Sequence, residues 1–283
     1  MLCRQRDERS AAHADQVPYR VPVVRTLAHA PNAPTVLLIH GFLDDLTVWD
    51  GVIDGLGDNV ATVRYDLPEF GRRAGTARDT SAITLAALAA EAGALIDSIT
   101  GPVIVVGQSL GSQVAELAAA AHPDRVTGLV LLTPVPLGGR HLPGDVVAQF
   151  HALDGDSIAQ RAARTAISPH LSDDQLDRLT DIGRHLVPGV AAHYVDVWNG
   201  GAADAPATSA FPGPALVIRG GADGFVTGEL ADAIASRFGE PDVRTIESGG
   251  HWLHVEFPDA VAAMILDFAD SVQVTKCERR SPA

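Results

Sequence analysis

A serine, an aspartate and a histidine stand in three glycine-rich segments of this chain, each directly after an apolar run. Ser109 lies in Gly107-Gln108-Ser109-Leu110-Gly111, after Val103-Ile104-Val105-Val106 and before Ser112-Gln113-Val114-Ala115-Glu116-Leu117-Ala118. Asp223 lies in Gly220-Gly221-Ala222-Asp223-Gly224, after the run Ala215 to Arg219. His251 follows Glu247-Ser248-Gly249-Gly250, after Val243 to Ile246. Together these residue types could carry out acyl transfer. An unactivated serine hydroxyl is a poor nucleophile and needs a base within hydrogen-bond reach. An imidazole is the usual base, and a carboxylate holds it in the right tautomer. A serine between a buried strand and a helix sits on a tight, strained turn that lifts its hydroxyl off the sheet. Glycine at the flanking positions avoids clashes with neighbouring backbone. The order Ser109, Asp223, His251 is the chain order expected for such a strand-turn-helix nucleophile.

Local context selects these residues over their competitors. The chain has 11 histidines. His29, His122, His141, His151, His170, His185 and His193 lack a comparable strand-end position, and His40 reads as structural. His251 and His254 form a His-x-x-His pair that could ligate a metal, but no third ligand accompanies it, so no metal site is assigned. Asp223 has a competing reading as a turn residue, since Asp-Gly is a common turn pair. The other strand end that could supply the acid, Leu131-Leu132-Thr133-Pro134, holds no carboxylate. A tetrahedral oxyanion needs two aimed N–H groups. Leu110, directly after the serine and at a helix N-terminus, supplies one. The loop His40-Gly41-Phe42-Leu43 supplies the other, assigned to Phe42. Gly41, Phe42, Phe150, Tyr194, Trp198 and Trp252 are the candidate substrate-binding residues, with Leu142 and His193 as further candidate walls. For the cap residues the competing reading is packing of helices against each other.

These residues need a scaffold, and the apolar pattern supplies it. Thr35–Ile39, Asn59–Tyr65, Val103–Val106, Val126–Leu132, Ala215–Arg219 and Val243–Ile246 are short, continuous apolar runs, as expected of parallel strands buried on both faces. Helical stretches alternate with them: Thr80–Ile99, Ser109–Ala121, Gly228–Phe238 and Leu253–Ala269. The alternation predicts a parallel α/β sheet. It breaks once. Between Pro134 and Pro214 there is no strand pattern, only helical pieces at Asp145–Leu153, Ser157–Ile167, Asp173–Leu186 and Val190–Trp198, with Ser172 as an N-cap. A block this long is read as a helical cap between two core strands. Ordinary crossover helices are the alternative.

Composition bounds the rest. The 283 residues are 46% hydrophobic and 20% charged, within the range of a globular protein with one large domain or a core domain plus an insertion. The formal charge of −14 argues against a phosphate backbone or an anionic membrane as the main partner. Cys3 and Cys277, the only cysteines, lie near the two ends, which excludes a disulfide framework. No apolar leader or membrane-length run is present, so the expected location is cytoplasmic. Residues 1–16 and 273–283 read as tails.

His40-Gly41-Phe42, Asp66-Leu67-Pro68 with Phe70-Gly71, Gly107 to Gly111, Asp223 after Gly220-Gly221, and Gly250-His251 with Glu256-Phe257-Pro258 together resemble the α/β-hydrolase fold superfamily. The resemblance spans Val21 to Ser271. It implies an eight-stranded, mostly parallel sheet flanked by helices, with residues 17–133 and 215–272 as the core and 134–214 as an inserted cap. It also implies hydrolysis of a small-molecule ester or lactone through an acyl-enzyme, with no cofactor. Serine at position 109 argues against dehalogenase and epoxide hydrolase relatives, which use aspartate there. It leaves open perhydrolase or haloperoxidase, C–C hydrolase and lyase chemistry, and a noncatalytic receptor. One departure stands out: Glu69 occupies a position where relatives often carry glycine. This implies a strained or altered loop and a carboxylate near the pocket mouth.

Overall fold

The computed structural model describes residues 21–28, 33–77 and 79–278, with backbone alone for 274–278. The readings of residues 1–16, Cys3, His29 and the Cys277 thiol lie outside the described residues. The strands are β1 Val23–Thr26, β2 Thr35–Ile39, β3 Ala61–Tyr65, β4 Val103–Gln108, β5 Val126–Leu132, β6 Ala215–Gly220 and β7 Asp242–Ile246. They form one sheet in the order β1-β3-β2-β4-β5-β6-β7, antiparallel at β1–β3 and parallel elsewhere. The described residues thus contain seven strands, one fewer than the eight expected. β1 leaves no continuous apolar run, because Val23-Val24-Arg25-Thr26 is short and only half-buried, as suits an edge strand.

Alternate residues of the central strands enter opposite layers of core. Leu37, Ile39, Val105, Leu129 and Val217 face one layer; Val36, Leu38, Ile104, Val130 and Leu216 face the other. Burial on both faces is the reason these strands read as unbroken apolar runs. The first layer holds α2 Leu85–Ser98, α3 Leu110–Ala121 and part of α8 Gly228–Ala235. The second holds α1 Asp50–Leu56, α9 Leu253–Glu256 and α10 Pro258–Glu278.

Four helices join β5 to β6: α4 Gly144–His151, α5 Ser157–Ile167, α6 Asp173–Gly183 and α7 Val190–Gly200. α4 packs on α7, and α5 on α6. Ser172 caps α6 through a reciprocal capping box with Gln175, satisfying two otherwise orphaned groups. The stretch expected as one helix from Leu253 to Ala269 is two. The chain breaks at Phe257, where Pro258 brings no N–H and begins α10. α10 continues to Glu278, beyond the tail boundary expected at 273. Val272 is buried on the core at that point, which carries the helix onward.

Strand order reverses between β2 and β4, which are neighbours in the sheet while β3 lies on the far side of β2. Ligands bind at such switch points, outside the carboxyl ends of the strands. The loop after β2 and the turn at Ser109 meet there.

Candidate active site

Ser109 joins β4 to α3 with φ 51° and ψ −120°, a backbone state that disfavours any side chain. The sequence around it explains how the strain is held. A Cβ at Gly107 would overlap the Gly111 carbonyl, and one at Gly111 would overlap the carbonyls of Ile39 and His40. The two glycines therefore let the turn close and let it seat directly on the end of β2. Ser112 Oγ locks the turn, donating to Ser109 O (2.5 Å) and accepting from Val135 N–H (3.1 Å). Leu110 begins α3, so its N–H lies at the positive end of the helix dipole.

Asp223 and His251 come from the loops after β6 and β7. His251 Nδ1 and Asp223 Oδ2 are 2.8 Å apart, with both residues buried. Asp223 cannot swing away, because its Oδ1 accepts from Phe225 N–H (2.7 Å) and Val226 N–H (2.9 Å). The histidine backbone is fixed just as firmly. Its carbonyl accepts from Thr133 Oγ1 (2.9 Å) and Gln108 Nε2 (3.1 Å), and its N–H donates to Ile167 O (3.1 Å). With Nδ1–H committed to the carboxylate, Nε2 is left as the basic nitrogen. Ser109 and His251 line the same cavity. Among the described residues no hydrogen bond joins them; catalytic contacts of this kind tighten in the complex with substrate. Gln108, one residue before Ser109, thus ties the end of β4 to the His251 loop.

The loop after β2 is held by a buried, neutral histidine. His40 Nε2 accepts from Leu67 N–H at 2.9 Å, which puts the ring proton on Nδ1, where it donates to Gly41 O at 2.8 Å. Burial lowers its pKa and keeps the ring uncharged. The structural reading of His40 fits this geometry. Further along, Leu43 has φ 63°, and its carbonyl accepts from Arg164 Nη2 at 2.9 Å. Arg164 comes from α5 and is buried, as is Asp44, whose carboxylate lies 4.0 Å from the guanidinium. Asp44 also accepts from Trp252 Nε1 at 3.0 Å.

Burial outweighs Arg164 and the Trp252 hydrogen bond, and raises the Asp44 pKa to about 7. Asp45 adds to the rise and His251 opposes it. The folded state therefore keeps a proton that the unfolded chain releases near its ordinary value of 3.8. Linkage gives the sign: stability falls as pH rises from about 4 to about 7, and the loss ends above that window. Asp44→Asn keeps an acceptor for Trp252 and cannot ionise. Urea midpoints measured against pH should fall less steeply in the variant than in the wild type within that window. Identical slopes would show that Asp44 does not titrate there.

The cavity above Ser109 and its mouth together hold about 490 Å³ of empty space, open solvent included. Phe42, Phe150, Trp198 and Trp252 line it, as expected, together with Phe225, Leu43 and Arg164, which the sequence did not reveal. Trp198 and Phe225 meet edge to face (5.7 Å, 90°), and Phe225 meets the His251 ring the same way (5.5 Å, 90°). Two expected pocket residues lie elsewhere. Gly41 packs against the Gln108 side chain. Tyr194 is buried against Phe70, and its hydroxyl donates to Pro68 O at 2.7 Å, tying the inserted helices to the core. Leu142 and His193 are likewise absent from the walls; His193 Nε2 bonds Ile83 O. Glu69 does adopt the strained backbone expected of it, with φ 64°. Its carboxylate is buried away from the cavity, accepting from the N–H groups of Gly75 (2.8 Å) and Ala77, and so it closes a loop. Among the described residues no cluster of three or more His, Cys, Asp or Glu side chains is placed to hold a metal ion. No described helix is long and apolar enough to cross a membrane.

Comparison with known proteins agrees with this architecture. The alpha/beta hydrolase family profile matches residues 36–264. The chain belongs to the alpha/beta hydrolase family. An esterase of Mycobacterium tuberculosis is 27% identical over 273 residues, covering 88% of this chain and 87% of that one. A biotin biosynthesis bifunctional protein of Teredinibacter turnerae is 24% identical over 262 residues; the match covers 84% of this chain but only 45% of that longer protein. The enol-lactonase structure from Burkholderia xenovorans superposes with a TM-score of 0.74 at 19% identity, over 88% of this chain and 95% of that one.

Proposed function

We propose that the protein is a serine hydrolase that cleaves a compact, apolar carboxylic ester or lactone through an acyl-enzyme. The observation that carries this reading is the Asp223–His251 pair, held at 2.8 Å with its imidazole on the same cavity as the strained Ser109. Ser109 Oγ attacks the substrate carbonyl while His251 Nε2 takes its proton. Asp223 stabilises the resulting imidazolium. The N–H groups of Leu110 and Phe42 hold the oxyanion, each worth about 2.7–4 kcal/mol of barrier. His251 then returns the proton to the leaving alkoxide and activates the water that releases the acid.

The cavity walls support the substrate class. Apolar side chains make up most of the wall, five of them aromatic, and the space between them is small. Such walls reward apolar surface and discriminate mainly by size. Similarity to an esterase of Mycobacterium tuberculosis supports an ester as the substrate class.

A panel of p-nitrophenyl esters of increasing acyl length, with lactones of increasing ring size, tests this. Hydrolysis should be fastest for short or aryl acyl groups. Once the cavity is full, each added methylene should lower kcat/KM by about tenfold or more. Turnover only in the presence of peroxide would move the reading to perhydrolase chemistry. Tight binding of an intact ester with no turnover would identify a receptor.

A further inference from the structure

α5 reaches three parts of the site at once. At its C-terminal end, Ile167 O accepts the N–H of His251 (3.1 Å), and Ser168 Oγ accepts the N–H of Trp252 (3.0 Å). Ser168 Oγ also donates to Glu256 (3.4 Å), whose carboxylate accepts Gly250 N–H (2.8 Å). One turn earlier on the same helix, Arg164 donates to Leu43 O, one residue beyond Phe42. The base loop and the oxyanion loop therefore hang from one helix.

Arg164 is an expensive residue to keep there. It is 1% exposed, its Nε has no hydrogen-bond partner, and its nearest carboxylate is 4.0 Å away on Asp44. Its Nη1 makes only a long contact to Gln160 Oε1, at 3.4 Å. A buried guanidinium with incomplete partners is poorly suited to adding stability, and an apolar side chain of similar volume often serves a core better. Apart from lying over the Trp252 ring at 5.6 Å, what Arg164 makes well is the bond to Leu43 O. That carbonyl belongs to a non-glycine residue at φ 63°, a conformation that persists only where its surroundings impose it.

We infer that Arg164 is a positioning residue: from α5 it fixes Leu43 in its left-handed conformation and so aims the adjacent Phe42 N–H at the developing oxyanion. α5 thereby sets the distance between oxyanion donor and base. Substrate that presses on the α5 side of the cavity, at Ala163, Arg164 and Ile167, bears on the same helix that aligns the reacting groups.

The inference rests on the proposed hydrolase reading, and the test separates the two. Phenylboronic acid becomes tetrahedral on an active serine; benzamide is its planar, unreactive counterpart. Inhibition constants for both, and kcat for p-nitrophenyl acetate, are measured in wild type, Arg164→Met and Arg164→Lys. Loss of a well-aimed oxyanion donor costs about 10²–10³ in rate, so a misaimed one should cost at least about tenfold. Arg164→Met should lose that factor in kcat and in the ratio of boronate to benzamide affinity, since both ligands meet the same altered wall and only the boronate needs the oxyanion donor. Arg164→Lys, which keeps one donor within reach of Leu43 O, should fall between. Equal weakening of boronate and benzamide, or no change in either, would overturn the assignment. Should Arg164→Met fail to fold, the boronate-to-benzamide ratio in Arg164→Lys decides alone: an unchanged ratio rejects the inference. Failure of the hydrolase reading shows instead in the wild type, as no preference for boronate over benzamide.

Discussion

Ser109→Ala is expected to lower kcat for a short p-nitrophenyl ester by about four to six orders of magnitude, the range set by removing the nucleophile from other serine triads. KM should change little, since the cavity walls supply most of the contact. The fold should survive. Ser112 Oγ bonds the Ser109 carbonyl, not its hydroxyl, so the lock on the turn is kept. Alanine at φ 51° carries the same backbone strain as serine. Steady-state kinetics together with a thermal melt checks both halves. A variant that melts like the wild type and keeps more than about a tenth of the activity would remove Ser109 from the mechanism.

Asp223→Asn should cost about 10⁴ in kcat, and the hydrogen-bond pattern explains why. Oδ1 of Asp223 already accepts two backbone N–H groups, from Phe225 and Val226. An asparagine must therefore keep its carbonyl oxygen on that side and turn its NH₂ toward His251 Nδ1. A donor at that position forces Nδ1 to accept, which moves the ring proton to Nε2. The nitrogen facing the serine can then no longer take a proton. Stability should hold, because every backbone partner of residue 223 keeps an acceptor. A fall in kcat of less than about tenfold would mean that the carboxylate does not set the tautomer.

Much of this arrangement was legible in the residues alone, for physical reasons. The central strands are buried on both faces, so their composition is unmistakable, and β1, half-exposed at the edge, was missed for the converse reason. The turn at Ser109 could be read because its close approaches admit only glycine at 107 and 111. Backbone strain at Glu69 follows from its place where relatives often carry glycine, but the direction of its carboxylate does not; loop geometry turns it onto the N–H groups of Gly75 and Ala77. The pocket was the least legible part. Which face of each inserted helix meets the core depends on tertiary packing. Tyr194 and Trp198 sit one turn apart on α7, and only Trp198 reaches the cavity. Arg164 left a signal that could have been used. Gln160 and Arg164 share a stripe of α5 with Ala163 and Ile167, so a polar pair lies on the helix face that turns inward. Phe225 left another, as the aromatic residue two places after Asp223.

The central claim is that Ser109 forms the covalent intermediate. The direct measurement is the mass of the intact protein after treatment with a small fluorophosphonate, followed by peptide mapping. A single adduct on the peptide containing Gly107 to Gly111, lost in Ser109→Ala and in step with loss of esterase activity, is the predicted result. Complete labelling of another residue, or full ester hydrolysis by a protein that takes no label, would contradict it.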